Sequence, residues 1–238
     1  MNLLREYIRE FLVEWMPANE KNLMLDQEGM EKSDRENVTK YLKSLGLLES
    51  ATMSIIPGNE HVFPVIPYPP PNTPEGIEDL QMVIIQYNNR VIPDELQESA
   101  DTDMEGLFER YLERKGVTYN TVYYSKLKQD LIPLITEMKN FYGRHRPTET
   151  AATTGIDFRG DKLDTAHTPS YPSGHTIQAY VIAELLSDQF PDYHEDLIGI
   201  AEVVAQSRID RGVHFPTDIH FGRIIAAIIS DRLKNGFA

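Results

Sequence analysis

Three short segments within the last hundred residues constrain this chain more than any other feature of its sequence. They are Lys139-x6-Arg146-Pro147, Pro172-Ser173-Gly174-His175 and Ser207-Arg208-x5-His214-x3-Asp218. Isolated lysines and arginines are usually solvated surface charges, but the joint pattern of three cations, a Ser-Gly turn and two histidines indicates a common site. These are the groups needed for displacement at a phosphoryl group. The sequence therefore predicts an anion-binding catalytic site.

The cations are suited to hold the phosphoryl oxygens. A phosphoryl transition state spreads negative charge over three equatorial oxygens, which need fixed donors. Lys139 offers a point charge, whereas Arg146 and Arg208 offer planar forks that each bind two oxygens. Ser173 and Gly174 precede a run with helical periodicity, so their backbone N–H groups are expected at a helix N-terminus, where anions bind favourably.

The two histidines divide the remaining roles. Asp218 follows His214 by four positions, and a carboxylate on one ring nitrogen fixes the tautomer that leaves the other nitrogen to attack. We therefore assign His214 as the nucleophile and His175 as the general acid, which later activates water as a base. A phosphohistidine intermediate follows from this assignment. His214, Asp218 and His220 are also candidates for a metal cluster, but no further ligand is placed to complete it, and no metal is expected.

The three segments match the signature of the superfamily that joins type 2 phosphatidic acid phosphatases, bacterial class A non-specific acid phosphatases and vanadium haloperoxidases. The sequence most resembles the class A acid phosphatases, in the stretches Pro69-Pro70-Pro71, Ser170-Tyr171-Pro172-Ser173-Gly174-His175-Thr176 and Gln206-Ser207-Arg208. The resemblance covers roughly residues 62–233 and is specific only from Lys139 onward. It implies an all-α fold, a compact helical bundle in which the three segments converge in one pocket.

Three functions remain open at this stage. The first is a metal-independent phosphatase that hydrolyses small phosphate monoesters without a cofactor, with possible phosphotransferase activity. The second is a vanadate-dependent haloperoxidase, because vanadate and phosphate share shape and charge and would occupy the same cationic site. The third is a non-enzymatic phage or structural protein with a vestigial site, although the intact catalytic residues argue against it. The identity of the phosphate ester is not encoded in the motifs.

Composition limits the partners and the compartment. The 238 residues carry a net charge of −14, which disfavours nucleic acid or an anionic membrane as a partner. No stretch approaches the roughly 20 apolar residues of a transmembrane segment. Charged residues interrupt residues 1–16, so no signal peptide is expected, and the protein is predicted to be soluble and cytoplasmic, or phage- or host-associated, rather than exported. Relatives form dimers and larger assemblies, so a homo-oligomer is expected.

The chain is predicted to have three parts. Residues 1–50 show helical periodicity interrupted by Pro17 and Gly46, which predicts an N-terminal helical hairpin. Residues 51–75 form a proline-rich linker, and residues 76–238 form the helical domain. Helices are predicted at 76–88, 103–115, 120–142, 174–189, 193–209 and 217–234. Pro133 should kink the third of these or mark its start. Residues 148–169 are predicted as a long loop, which is either an active-site lid or a solvated excursion without a role.

Overall fold

Two units make up the chain, Met1–Thr52 and Met53–Ala238. The structure is a computed structural model that describes residues 52–56 and 59–235, with side chains from Phe63 to Lys234. Every candidate site residue lies in the second unit. The helical hairpin predicted for residues 1–50 lies outside the described residues, so it stays a prediction.

The described part of the chain contains eight α-helices, one short 3-10 helix and a two-stranded sheet. The helices are α1 (Pro74–Asn88), α2 (Asp94–Thr102), α3 (Met104–Arg114), α4 (Thr121–Tyr142), α5 (Pro147–Thr154), α6 (Gly174–Gln189), α7 (His194–Asp210) and α8 (Pro216–Asn235), with the 3-10 helix at Pro191–Tyr193. The strands β1 (Thr52–Ile56) and β2 (Asn59–Pro64) pair within the segment predicted as the linker. The all-α class is thereby confirmed for this part of the protein.

Six helices were predicted from periodicity, and each is found with its ends within two residues of the predicted ones. The prediction for residues 148–169 was wrong in its first third, because Pro147–Thr154 is a helix and the loop starts at Gly155. The backbone N–H of Arg146 donates to the carboxylate of Glu149, which satisfies one free amide at the start of α5. Pro133 lies inside α4 and does not mark its start.

Helix α6 is the centre of the bundle. It packs most extensively against α7 and α8, and also contacts α3 and α4. Its apolar residues face all directions, which is the pattern of a buried helix rather than a surface one. Ile177, Val181 and Ile182 are fully buried as a result. None of the helices in the described ranges is long and apolar enough to cross a membrane.

A second, smaller apolar cluster lies between α1, α5, α7 and α8. It comprises Leu80, Val83, Ala151, Phe158, Ala205, Ile209, Phe215 and Ile219. This cluster brings the start of α8 against α1. It thereby supports the segment between α7 and α8, which carries His214.

Candidate active site

Five helix ends supply the motif residues. Lys139 lies in the last turn of α4, Arg146 directly before α5, His175 in the first turn of α6, Arg208 in the last turn of α7 and Asp218 in the first turn of α8. Gly143 ends α4 in the left-handed region, with φ of 61°, which lets the chain reverse directly after Lys139. The three sequence segments are therefore brought together by helix termini.

The three cations are buried and close enough to affect one another. Burial and the neighbouring charge of Arg146 hold the pKa of Lys139 well below its ordinary value. Burial, with a contribution from Arg208, lowers the pKa of Arg146 to about 10. Burial also lowers the pKa of Arg208. A cluster of desolvated like charges is unfavourable by itself, and a bound dianion would offset both the desolvation and the repulsion.

Neutral groups supply most of the hydrogen-bond acceptors for these cations. Lys139 Nζ donates to the carbonyl of Pro169, and Arg146 donates from Nε to the carbonyl of Thr168 at 2.8 Å and from Nη1 to that of Val213 at 2.7 Å. Arg208 Nε is buried and has no hydrogen-bond partner within the described ranges. A buried, unsatisfied guanidinium N–H is rare, and it points to an acceptor that a ligand would provide.

The tautomer of His214 follows from its two partners. Its Nδ1 lies 3.0 Å from Asp218 Oδ2, and its Nε2 lies 2.9 Å from Arg146 Nη1. Because a guanidinium only donates, Nε2 must accept, and the ring proton is therefore on Nδ1, directed at the carboxylate. Burial and Arg146 hold the pKa of His214 well below its usual value, so the ring is neutral. A neutral imidazole with its lone pair on Nε2 is the form required for nucleophilic attack.

Asp218 is a fully buried carboxylate with a complete set of donors. Burial alone would raise its pKa, but Arg144 and the hydrogen bond from His214 hold the pKa well below the usual range of a carboxyl group. The backbone N–H of Phe215 donates to the same oxygen as His214, at 2.9 Å. The carboxylate is thus ionised and oriented towards the histidine ring.

Arg144 connects Asp218 to a second buried carboxylate. Its Nη1 donates to Asp218 Oδ1 at 2.6 Å, and its Nη2 donates to Asp79 Oδ2 at 2.7 Å. The guanidinium carbon lies 3.7 Å from the ring centroid of Phe215, in a cation–π contact. Thr217 donates its backbone N–H and its hydroxyl to Asp79. Arg144 therefore belongs to the hydrogen-bond network behind His214 and not to the cluster of Lys139, Arg146 and Arg208.

His175 lies beside Arg208 and Asp101, a residue of α2. Its Nε2 is 3.1 Å from the backbone carbonyl of Asp101 and 3.4 Å from the carboxylate. The same carboxylate accepts from Arg208 Nη1 and from Thr165 Oγ1. Burial and the charge of Arg208 lower the pKa of His175 to about 3. In the absence of a bound anion His175 is therefore neutral near pH 7.

Ser173 and Gly174 make contacts that stabilise the fold and that the sequence did not predict. The Ser173 hydroxyl caps α6 by accepting from Thr176, and the Ser173 N–H donates to the backbone carbonyl of Asp218 at 3.1 Å. That N–H is consequently occupied and not free for an anion. A Cβ on Gly174 would lie 3.1 Å from Ile135 Cγ2 and 3.7 Å from Lys139 Cε. Glycine thus permits the close approach of α6 to Lys139.

All eight predicted site residues lie at this one group of helix ends, but two further acidic residues were not predicted. Asp79 binds Arg144, 65 residues away along the chain, and Asp101 binds the motif residue Arg208, 107 residues away. Arg211, a further cation close to the third motif segment, is paired with Glu98 and Asp161. No group of three or more His, Cys, Asp or Glu side chains is placed to hold a metal ion in the part of the chain that the structure describes.

The helices that carry the site match a known family. Residues 125–233 match the family model described as the PAP2 superfamily. This part of the chain is similar to the PAP2 superfamily. The matched range contains all three motif segments, whereas Asp79 and Asp101 lie before it.

Two curated proteins are similar to part of this chain. An acid phosphatase of Zymomonas mobilis is 31% identical over 96 residues, which are 39% of this chain and 35% of the relative. A non-specific acid phosphatase of Salmonella typhimurium is 35% identical over 65 residues, 27% of this chain and 26% of the relative. The similarity thus spans about a third or less of the length of these relatives.

One solved structure is also similar to this chain. It is the crystal structure of the first transmembrane PAP2 type phosphatidylglycerolphosphate phosphatase from Bacillus subtilis, with a TM-score of 0.47 and 19% sequence identity. The superposition covers 69% of this chain and 87% of that one.

Proposed function

We propose that this protein is a phosphatase that hydrolyses phosphate monoesters through a phosphohistidine intermediate. The observation that carries the proposal is the hydrogen-bonding of His214, which leaves the lone pair on Nε2 directed at Arg146, one of the three buried cations. The similarity to the PAP2 superfamily and to two acid phosphatases supports the reaction class. A small phosphate ester is the expected substrate.

The first step is attack by His214 Nε2 on the phosphorus atom. Arg146 now donates to this nitrogen, so the attack requires Arg146 Nη1 to turn from Nε2 to a phosphoryl oxygen. The P–N bond forms as the bond between phosphorus and the ester oxygen breaks. Arg146, Arg208 and Lys139 donate to the equatorial oxygens, whose charge is largest in the transition state.

The leaving alkoxide requires a proton, which His175 supplies. The ring must be an imidazolium for this step, yet burial and Arg208 lower its pKa to about 3 in the free protein. The bound phosphoryl dianion has the opposite sign to these cations and favours the imidazolium. Substrate binding therefore charges the acid, and the neutral ring left after proton transfer is the base that activates water in the second step.

In the second step water attacks the phosphorus atom of the phosphohistidine. His175 accepts the proton of the water, the P–N bond breaks, and inorganic phosphate leaves. His214 returns to the neutral ring with its proton on Nδ1. Asp218 keeps this proton in place throughout, so that Nε2 is the nitrogen that forms and loses the bond to phosphorus.

Binding of inorganic phosphate should raise the pKa of His175. The sign follows from the argument above, since the dianion stabilises the charged ring that burial and Arg208 disfavour. Proton NMR of the protein should show one histidine titrating near pH 3 without phosphate and at higher pH with it. A His175→Gln variant identifies the signal. Titration of His175 near its ordinary value of about 6.5 without phosphate would contradict the account.

Hydrolysis of p-nitrophenyl phosphate should continue in excess EDTA, and vanadate should inhibit it competitively. The donors of the proposed mechanism are side chains of the protein, and five-coordinate vanadate resembles the transition state that they bind. The same preparation is assayed with bromide, peroxide and vanadate. Loss of hydrolysis in EDTA with recovery on adding zinc or magnesium would refute the metal-free mechanism. Bromide oxidation without phosphate release would identify a haloperoxidase instead.

A further inference from the structure

A buried chain of alternating charges extends behind His214. It runs from Asp79 in α1 to Arg144, then to Asp218 and finally to the histidine ring. All three charged side chains are nearly inaccessible, with relative exposures of 5% for the Asp79 side chain, 4% for Arg144 and 0% for Asp218. Water therefore screens these charges poorly, and each acts strongly on its neighbours.

Arg144 has two opposite effects on the nucleophile. It orients Asp218 by binding the oxygen that His214 does not use. Its positive charge also offsets the negative charge of Asp218, and so reduces the attraction between Asp218 and any positive charge on His214. The second effect is harmful in the proposed mechanism, because the ring becomes positively charged when Nε2 bonds to phosphorus while Nδ1 keeps its proton.

Asp79 removes this harmful effect. Its carboxylate binds the other arm of the guanidinium, so Asp79 and Arg144 together carry no net charge, and Asp218 retains one full negative charge for His214. Thr217 fixes the arrangement, because its hydroxyl contacts both Arg144 and Asp79 and its N–H donates to Asp79. In the phosphohistidine, the charges of Asp79, Arg144, Asp218 and the His214 ring then alternate in sign.

We propose that Asp79 is a positioning residue for catalysis, which acts through Arg144 to hold Asp218 in place and to leave its charge available to the His214 imidazolium. This inference rests on the proposed function, since it concerns a charge that arises only in the phosphohistidine. Asp79 lies 46 residues before the range that matches the PAP2 family model, which starts at 125. It belongs to α1, which packs against the start of α8 in the second apolar cluster.

The test is Asp79→Asn, which keeps the shape of the side chain and removes its charge. We expect kcat for p-nitrophenyl phosphate to fall by about 10- to 100-fold, the range found for outer partners of catalytic groups. KM should change little, because Asp79 contacts His214 only through Arg144 and Asp218.

The matched control is Glu202→Gln. Glu202 is a buried carboxylate paired with Arg223 and Tyr180, and its replacement should retain the wild-type kcat.

A double-mutant cycle separates positioning from a structural role. In the Asp218→Asn background, Asp79→Asn should change kcat by less than about 2-fold, because the group through which it acts is absent. An equal loss in both backgrounds, or a wild-type kcat in the single variant, would overturn the proposal. If Asp79→Asn does not fold, Thr217→Val replaces it in the cycle, since it keeps every charge and removes the hydroxyl that joins Arg144 to Asp79.

A measurement without turnover distinguishes failure of this inference from failure of the proposed function. In protein labelled with 15N-histidine, the Nδ1–H signal of His214 reports its hydrogen bond to Asp218. The chemical shift of this signal should change in Asp79→Asn and stay the same in Glu202→Gln. An inactive wild type in which the signal still moves would refute the phosphatase and leave the positioning role. An active wild type in which it does not move would refute the positioning role alone.

Discussion

Replacing His214 by alanine should abolish turnover and leave the protein folded. The nucleophile is lost, and losses of about 10⁴-fold or more in kcat are typical when such a group is removed. The ring is buried, and among the described residues it hydrogen-bonds to two side chains, Asp218 and Arg146, so the loss of folding free energy should be about 1–3 kcal/mol. Steady-state kinetics with p-nitrophenyl phosphate give kcat, and thermal unfolding gives the change in folding free energy.

The matched control for this variant is His194→Ala. His194 is exposed at the start of α7, and its replacement should leave kcat and KM unchanged. His214→Ala with more than about a tenth of the wild-type kcat would contradict the assignment of His214 as nucleophile, because no covalent route remains in that variant. If His214→Ala shows neither activity nor an unfolding transition, circular dichroism of this variant and of His194→Ala shows whether the replacement of His214 has unfolded the protein.

Asp218→Asn should lower kcat by about 10³- to 10⁴-fold, the size of the effect when the carboxylate of a catalytic His-Asp pair is replaced. An amide can donate to Nδ1, which permits the tautomer with the proton on Nε2 and so blocks the attacking lone pair. The amide also lacks the charge that compensates the imidazolium. Arg144 keeps Asp79 as a partner, which limits the loss of stability from an unpaired buried cation.

The control for Asp218→Asn is Asp210→Asn, the same change at another buried carboxylate. Asp210 accepts hydrogen bonds from the backbone N–H groups of Val91 and Ile92 and from Gln206. Its replacement should reduce stability and keep kcat within about 3-fold of wild type. If Asp218→Asn retains the wild-type kcat, the carboxylate does not select the tautomer of His214, and the proposed route of attack is wrong.

Much of the helical fold could be predicted because amphipathic periodicity is a local property. The two helices that were missed contain few apolar residues from which a period could be recognised. Helix α2 has the sequence Asp-Glu-Leu-Gln-Glu-Ser-Ala-Asp-Thr, with too few apolar residues to mark a buried face. Helix α5 is rich in threonine, which is a poor helix former, although Pro147 at its first position and Glu149 two positions later are helix-start signals that would have revealed it.

The site was predictable only in part for a related reason. The motif residues are recognisable because each segment is short, and the structure brings all of them to one group of helix ends. Asp79 and Asp101 carry no local pattern, since their partners lie 65 to 107 residues away and are reached only through the packing of α1 and α2. The N–H of Ser173 was assigned to an anion, whereas it binds the carbonyl of Asp218, a contact fixed by the approach of α6 to α8.

The most direct test of the central proposal is to trap the covalent intermediate. The protein is mixed with 32P-labelled substrate, quenched in alkali within milliseconds, digested and mapped, because phosphohistidine survives alkali and is lost in acid. We expect label on the peptide that contains His214 in wild-type protein, and no label in His214→Ala. Label on the peptide with His175, or hydrolysis by wild-type protein with no labelled peptide at any quench time, would contradict the mechanism proposed for this protein.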